Sequence, residues 1–158
     1  MHVLFVCLGN ICRSPSAEGV FRRLLDERGL TPRVRVDSCG IGSWHVGKAP
    51  DPRACDAAAR RGVDLSELRA RQLADDDFER FDVLVAMDHD NLAAIEARRP
   101  PHSRVPARLF MGYAGQPDRA VPDPYFGGDQ GFDEVLDLIE AASRGLLADI
   151  EARLEPGV

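Results

Sequence analysis

The run Val3-Leu4-Phe5-Val6-Cys7-Leu8-Gly9-Asn10-Ile11-Cys12-Arg13-Ser14-Pro15 decides how the chain is read. His2 to Cys7 is apolar and short, and reads as a strand. From Ser14 the apolar residues Ala17, Val20, Phe21, Leu24 and Leu25 recur at helical spacing. Pro15 suits a first helical turn, and Gly29 lies just past the far end. Between the two elements lies a short loop with Gly9 and Asn10. A strand end, a tight loop and a helix N-terminus together form an anion trap, because backbone N–H groups converge there and the helix dipole adds positive potential. Cys7 stands inside that trap, where the surroundings favour the thiolate, the nucleophilic form of a cysteine. Arg13 carries a fork of donors that matches a tetrahedral oxyanion.

Working outward, strands and helices alternate, which points to an α/β fold with a parallel sheet. Four strands are expected: His2 to Cys7, Arg33 to Ser38, Phe81 to Met87, and Ala107 to Phe110. Asp51-Pro52 reads as the cap and first turn of a helix that stops at Gly62. Asp88 to Arg99 reads as another helix, ended by Pro100-Pro101. The last helix is expected from about Gly131 to Leu154. Asp75-Asp76-Asp77 reads as a helix start, and Arg60-Arg61 and Arg98-Arg99 as helix C-termini favoured by the dipole. Ligands of open parallel sheets bind beyond the carboxyl ends of the strands. Cys7, Ser38 and Met87-Asp88 stand at three such ends and should share one crevice.

At 158 residues the chain is long enough for one domain, 1–158, with a real core. Its 44% apolar and 29% charged content fits a globular protein. A net charge of −6 argues against nucleic acid as a partner. No apolar run is long enough to span a bilayer, and no signal peptide is evident, so the expected compartment is the cytoplasm. The four histidines (His2, His45, His89, His102) and four cysteines do not fall at metal-ligand spacings, so no metal is expected. Cys39 and Cys55 read as small buried residues. Cys12 has two readings: a small loop residue, or a thiol able to close a reversible disulfide with Cys7.

Cys-x5-Arg-Ser is the signature of protein tyrosine phosphatases. The nine-residue run Cys7 to Pro15, with its strand-loop-helix setting, resembles the low-molecular-weight protein tyrosine phosphatases. That resemblance extends over nearly the whole chain. It implies a single three-layer α/β domain, with a four-stranded parallel sheet flanked by helices. It implies hydrolysis of phosphotyrosine on proteins, and of aryl phosphates, through a cysteinyl-phosphate, with inorganic phosphate as product and no cofactor. Cys7 becomes the nucleophile, with residues Leu8, Gly9, Asn10, Ile11, Cys12, Arg13 and Ser14 as the phosphate-binding loop. Asp123, in Val121-Pro122-Asp123-Pro124-Tyr125, would on its own read as an Asp-Pro turn. Beside a Cys-x5-Arg loop it reads as the general acid, and the resemblance gives it that role. An aspartate facing a phosphate dianion favours its protonated form.

Trp44, the only tryptophan, could be a core residue, but the resemblance places it with Tyr125 on the walls of the substrate cleft. Two aromatic walls would favour a phosphotyrosine ring by stacking. Ser14 is positioned to hydrogen-bond Cys7, and Asn10 to take a left-handed backbone conformation. The resemblance also implies the second role for Cys12, as redox partner of Cys7. In the family, Asn10 is held by a serine, matched by Ser38, and by a histidine, whose place here is taken by Leu68. The loop should therefore be braced differently. Phe126 stands where many members have tyrosine. A thiol-relay arsenate reductase would share the anion loop, but it passes a disulfide to cysteines downstream, and none follows Cys55. A binding module without catalysis would be expected to have lost the nucleophile or the acid, and both are present.

Overall fold

Strand β1 (His2–Cys7) runs through the middle of the sheet, and its residues from Val3 to Cys7 are buried. The computed structural model describes residues 1–125, 127–128 and 130–154. Four parallel strands stand in the order β2-β1-β3-β4, with β2 at Arg35–Gly40, β3 at Val83–Ala86 and β4 at Ala107–Leu109. Because both faces of the sheet are covered, β3 and β1 from Val3 onward are apolar and do not alternate with polar residues.

Alternation instead decides which face each residue covers. Val3, Phe5, Cys7, Val83 and Val85 pack with the helices α1 (Arg13–Glu27), α2 (Pro52–Arg60) and α5 (Gln130–Leu154). Leu4, Val6, Leu84 and Ala86 pack on the opposite face with Phe78 of α3 (Asp77–Arg80) and Ile95 of α4 (His89–Arg98). The result is the expected three-layer arrangement. Phe5 anchors one layer, its ring 5.9 Å from that of Phe21 and 5.1 Å from that of Phe110.

The chain adds β2 on one side of β1 and then crosses to β3 on the other. The strand order reverses at β1, so a crevice opens at its carboxyl end. The loop between β1 and α1 lies there. Several boundaries differ from expectation. Strand β2 starts and ends two residues late, because its pairing with β1 runs on to Cys7 opposite Gly40. Ser38 is therefore inside the strand rather than at its end. Strand β3 loses Met87 at one end and Phe81 and Asp82 at the other, where the Asp82 carboxylate accepts the His2 N–H and turns the chain into the sheet. A 3₁₀ turn at Phe110–Ala114, not foreseen, follows β4 and packs on α5.

Candidate active site

The loop from Cys7 to Arg13 turns back on itself at Asn10, whose φ of 58° is the only positive value outside glycine among the described residues. Asparagine tolerates that region because its short amide can hydrogen-bond locally. The turn aims the Asn10 N–H at Cys7 Sγ, 3.2 Å away. Ser14 Oγ lies 3.0 Å from the same sulfur. The Asn10 side chain donates to Ser14 Oγ at 2.8 Å and to Ser38 Oγ at 3.0 Å. Ser14 Oγ already accepts from Asn10, so its single proton is left for the sulfur or for the Cys39 carbonyl at 3.3 Å.

Asn10 Oδ1 is braced by the backbone N–H of Arg71 at 3.0 Å. Leu68, in the place of the family histidine, packs against the edge of the core. Asn10 Oδ1 is thus held by a main-chain donor. The Arg71 segment is itself fixed, as its guanidinium pairs with Asp77 and Asp37.

Ser38 Oγ donates in turn to Glu18 Oε1 at 2.7 Å. Glu18 is buried in α1 and its second oxygen is paired with Arg22. Burial raises the Glu18 carboxyl above its ordinary value, while the Ser38 hydrogen bond and Arg22 oppose the rise. Sequence reading missed Glu18. The available signal was an acid one helical turn after Ser14, beside the apolar stripe of α1.

Arg13 is buried, and its guanidinium is held from below. Nη1 donates to Asp88 Oδ2 at 2.6 Å and to the Val121 carbonyl at 3.0 Å. Nη2 lies 3.7 Å from Asp123 Oδ2. Asp88, which reads from sequence as a helix start, serves both ends. Its Oδ1 caps α4 by accepting the Asn91 N–H at 2.7 Å, and its Oδ2 orients Arg13.

The crevice above this loop holds about 310 Å³. Cys7, Cys12 and Arg13 form its floor, and Asp123 overlooks it from one side. Trp44 and Tyr125 are on its walls. Trp44 is 67% exposed, so it belongs to no core. Its ring lies against the backbone at Gly42, where a Cβ would come within 1.9 Å of it. His45, which the sequence reading considered only in setting a metal site aside, also lines the cleft, its ring 6.2 Å from that of Tyr125. Asp123 Oδ1 accepts the Tyr125 N–H at 3.0 Å, which holds the side chain in a turn of its own loop. Phe126 lies outside the described residues.

All four cysteines are free thiols. Burial, with Asp51, Cys7 and Asp123 adding to it, pushes the Cys12 thiol far up, so it stays neutral beside Cys7. Cys39 is likewise pushed up by burial. No group of three His, Cys, Asp or Glu side chains suited to a metal ion occurs among the described residues.

Comparison with known proteins agrees with this geometry. A family profile described as low molecular weight phosphotyrosine protein phosphatase matches residues 2–155. A low molecular weight phosphotyrosine protein phosphatase of Schizosaccharomyces pombe is 44% identical over 95% of this chain and 97% of its own length. The crystal structure of a protein tyrosine phosphatase from Entamoeba histolytica, with Hepes in its active site, superposes with a TM-score of 0.91 at 35% identity. It covers 98% of this chain and 99% of that one. A Drosophila arginine phosphatase superposes with a TM-score of 0.87 at 33% identity, covering 96% of this chain and 98% of its own.

Proposed function

The chain belongs to the low molecular weight phosphotyrosine protein phosphatase family, and from that premise we propose how its residues divide the work. The reaction is hydrolysis of phosphotyrosine by cysteine chemistry. Arg13 and the backbone N–H groups of residues 8–13 bind the phosphate dianion. The Cys7 sulfur attacks phosphorus, the bond to the tyrosyl oxygen breaks, and Asp123 gives its proton to that oxygen. Asp123, now a base, takes a proton from water. The water oxygen attacks phosphorus, the sulfur–phosphorus bond breaks, and inorganic phosphate leaves. Ser14 and the Asn10 N–H stabilise the departing thiolate. Arg13 and the loop dipoles supply the charge stabilisation, so the scheme uses no metal.

The observation that carries this reading is the convergence of three groups on one crevice, the Cys7 sulfur with two donors beside it, the buried Arg13 and the Asp123 carboxylate. Trp44 and Tyr125 form the aromatic walls, and stacking on them favours the phosphotyrosine ring over phosphoserine, which has none. Substrates are tyrosine-phosphorylated proteins. Cys12 protects the nucleophile: when peroxide converts the Cys7 thiolate to a sulfenic acid, the Cys12 sulfur displaces water and closes a disulfide. A reduced Cys7 is needed for turnover, which supports the cytoplasm as the working compartment. Among the described residues no helix is long and apolar enough to cross a membrane.

The test is hydrolysis of p-nitrophenyl phosphate and of phosphotyrosine, phosphoserine and phosphoarginine peptides, in chelator. Wild type should act on the aryl phosphate and the phosphotyrosine peptide, and Cys7→Ser on neither. Preference for phosphoarginine would move the substrate toward that of the Drosophila relative. Chelator-sensitive turnover would refute the scheme.

A further inference from the structure

The N-terminus of α2 touches both halves of the site. Asp51, the cap of α2, donates its backbone N–H to the Ile11 carbonyl of the phosphate loop at 2.8 Å. Its carboxylate accepts from Arg53, at 3.1 Å from Nε and 3.0 Å from Nη2. Arg53 then reaches the segment that carries Asp123. Nη2 donates to the Tyr125 carbonyl at 2.9 Å and Nη1 to the Gly127 carbonyl at 3.3 Å. The guanidinium carbon also lies 4.8 Å from the ring centroid of buried Phe132 and 5.7 Å from that of Tyr125. Tyr125 closes the sequence of contacts by donating its N–H to Asp123 Oδ1 at 3.0 Å. An unbroken path thus runs from the loop holding Cys7, through Asp51, Arg53 and Tyr125, to the Asp123 carboxylate.

We propose that Arg53 is a positioning residue for the reaction, setting the Asp123 carboxylate relative to the Cys7 loop. The proposal rests on Asp123 acting as the general acid. Asp123, Tyr125 and Gly127 are exposed and belong to no helix or strand. A loop of that kind is positioned by the scaffold it is tied to. Arginine suits the task because its fixed fork serves two carbonyls and a carboxylate at once, which a lysine ammonium on a flexible stem does not reproduce. The Arg53 hydrogen bonds, against a smaller cost of burial, hold the Asp51 carboxyl below its ordinary range, so the pair stays ionised at neutral pH.

The measurement is kcat/KM on aryl phosphates spanning poor and good leaving groups, phenyl phosphate and 2,4-dinitrophenyl phosphate. Wild type, Asp123→Asn, Arg53→Met and Arg53→Lys are compared, with thermal midpoints alongside. A misplaced acid matters most where the leaving phenolate is poor, whereas general damage lowers both substrates alike. Arg53→Met keeps the apolar stem over Phe132, and should lose roughly tenfold more on phenyl phosphate than on the dinitrophenyl ester. Arg53→Lys should fall between it and wild type. Equal losses on both substrates in the Arg53 variants, or none, would overturn the proposal while Asp123→Asn still shows the leaving-group effect. If Asp123→Asn also falls equally on both, the acid assignment itself fails and the role of Arg53 with it.

Discussion

At the scale of single residues, Asp88 and Glu18 give the sharpest expectations. Asp88 both caps α4 and orients Arg13. Asparagine caps a helix as well as aspartate does, so Asp88→Asn separates the two tasks. It should leave the thermal midpoint nearly unchanged and lower kcat/KM about tenfold, as expected for weakening a hydrogen bond to a charged group. An unchanged kcat/KM would mean that Arg13 needs no carboxylate behind it. Glu18 offers a pH test. Burial raises its carboxyl above 4.5 in the folded protein. The native state therefore keeps a proton that the unfolded chain has released. Its contribution to stability is complete below pH 4.5 and is lost as pH rises through the raised folded value. Glu18→Gln removes that dependence. The stability difference, variant minus wild type, should rise across the window in denaturant titrations at several pH values, and a flat difference would contradict the assignment.

Among the elements, the loops depend on two glycines. A Cβ at Gly40 would lie 2.9 Å from the Leu8 carbonyl oxygen and 3.1 Å from the Asn10 nitrogen. Those contacts are backbone, so Gly40→Ala must shift the phosphate loop. A displacement near one ångström in a catalytic group can cost about 10²-fold, and a kcat loss of that order is expected. Gly42→Ala instead displaces only the exposed Trp44 ring, and should raise KM for a phosphotyrosine peptide while sparing kcat.

The sheet order's raw material was legible in sequence, because an apolar strand, a Gly-Asn loop and a helical stripe are local patterns. Cys7, Arg13 and Asp123, which line one crevice, could be singled out for the same reason: each stands in a short motif. Other features arise from pairing across the fold. Strand β2 runs past Ser38 because β1 extends opposite it. Asp88 meets Arg13 across 75 positions, and the Arg71 N–H braces Asn10 across 61. Glu18 and His45 carry no motif of their own; only packing reveals them.

For the whole molecule, α5 must press closely on the 3₁₀ turn for the layers to close. A Cβ at Gly145 would come within 1.8 Å of the Tyr113 carbonyl oxygen. Overpacking against backbone costs about 1–3 kcal/mol, and each kcal/mol lowers the midpoint by roughly 2–4 °C in a domain of this size. Gly145→Ala should melt earlier while keeping its kcat at low temperature, since neither Gly145 nor Tyr113 lines the cleft. The central claim concerns the nucleophile at the junction of the layers, and one measurement tests it most directly. Asp123→Asn, in which the proposed hydrolysis step should be slow, is mixed with an aryl phosphate, quenched in acid within a turnover, digested and weighed by mass spectrometry. One phosphoryl group on the peptide carrying Cys7, bound to the Cys7 sulfur, is the predicted result. Turnover with no phosphorylated enzyme, or a phosphoryl group on any other residue, would contradict the account.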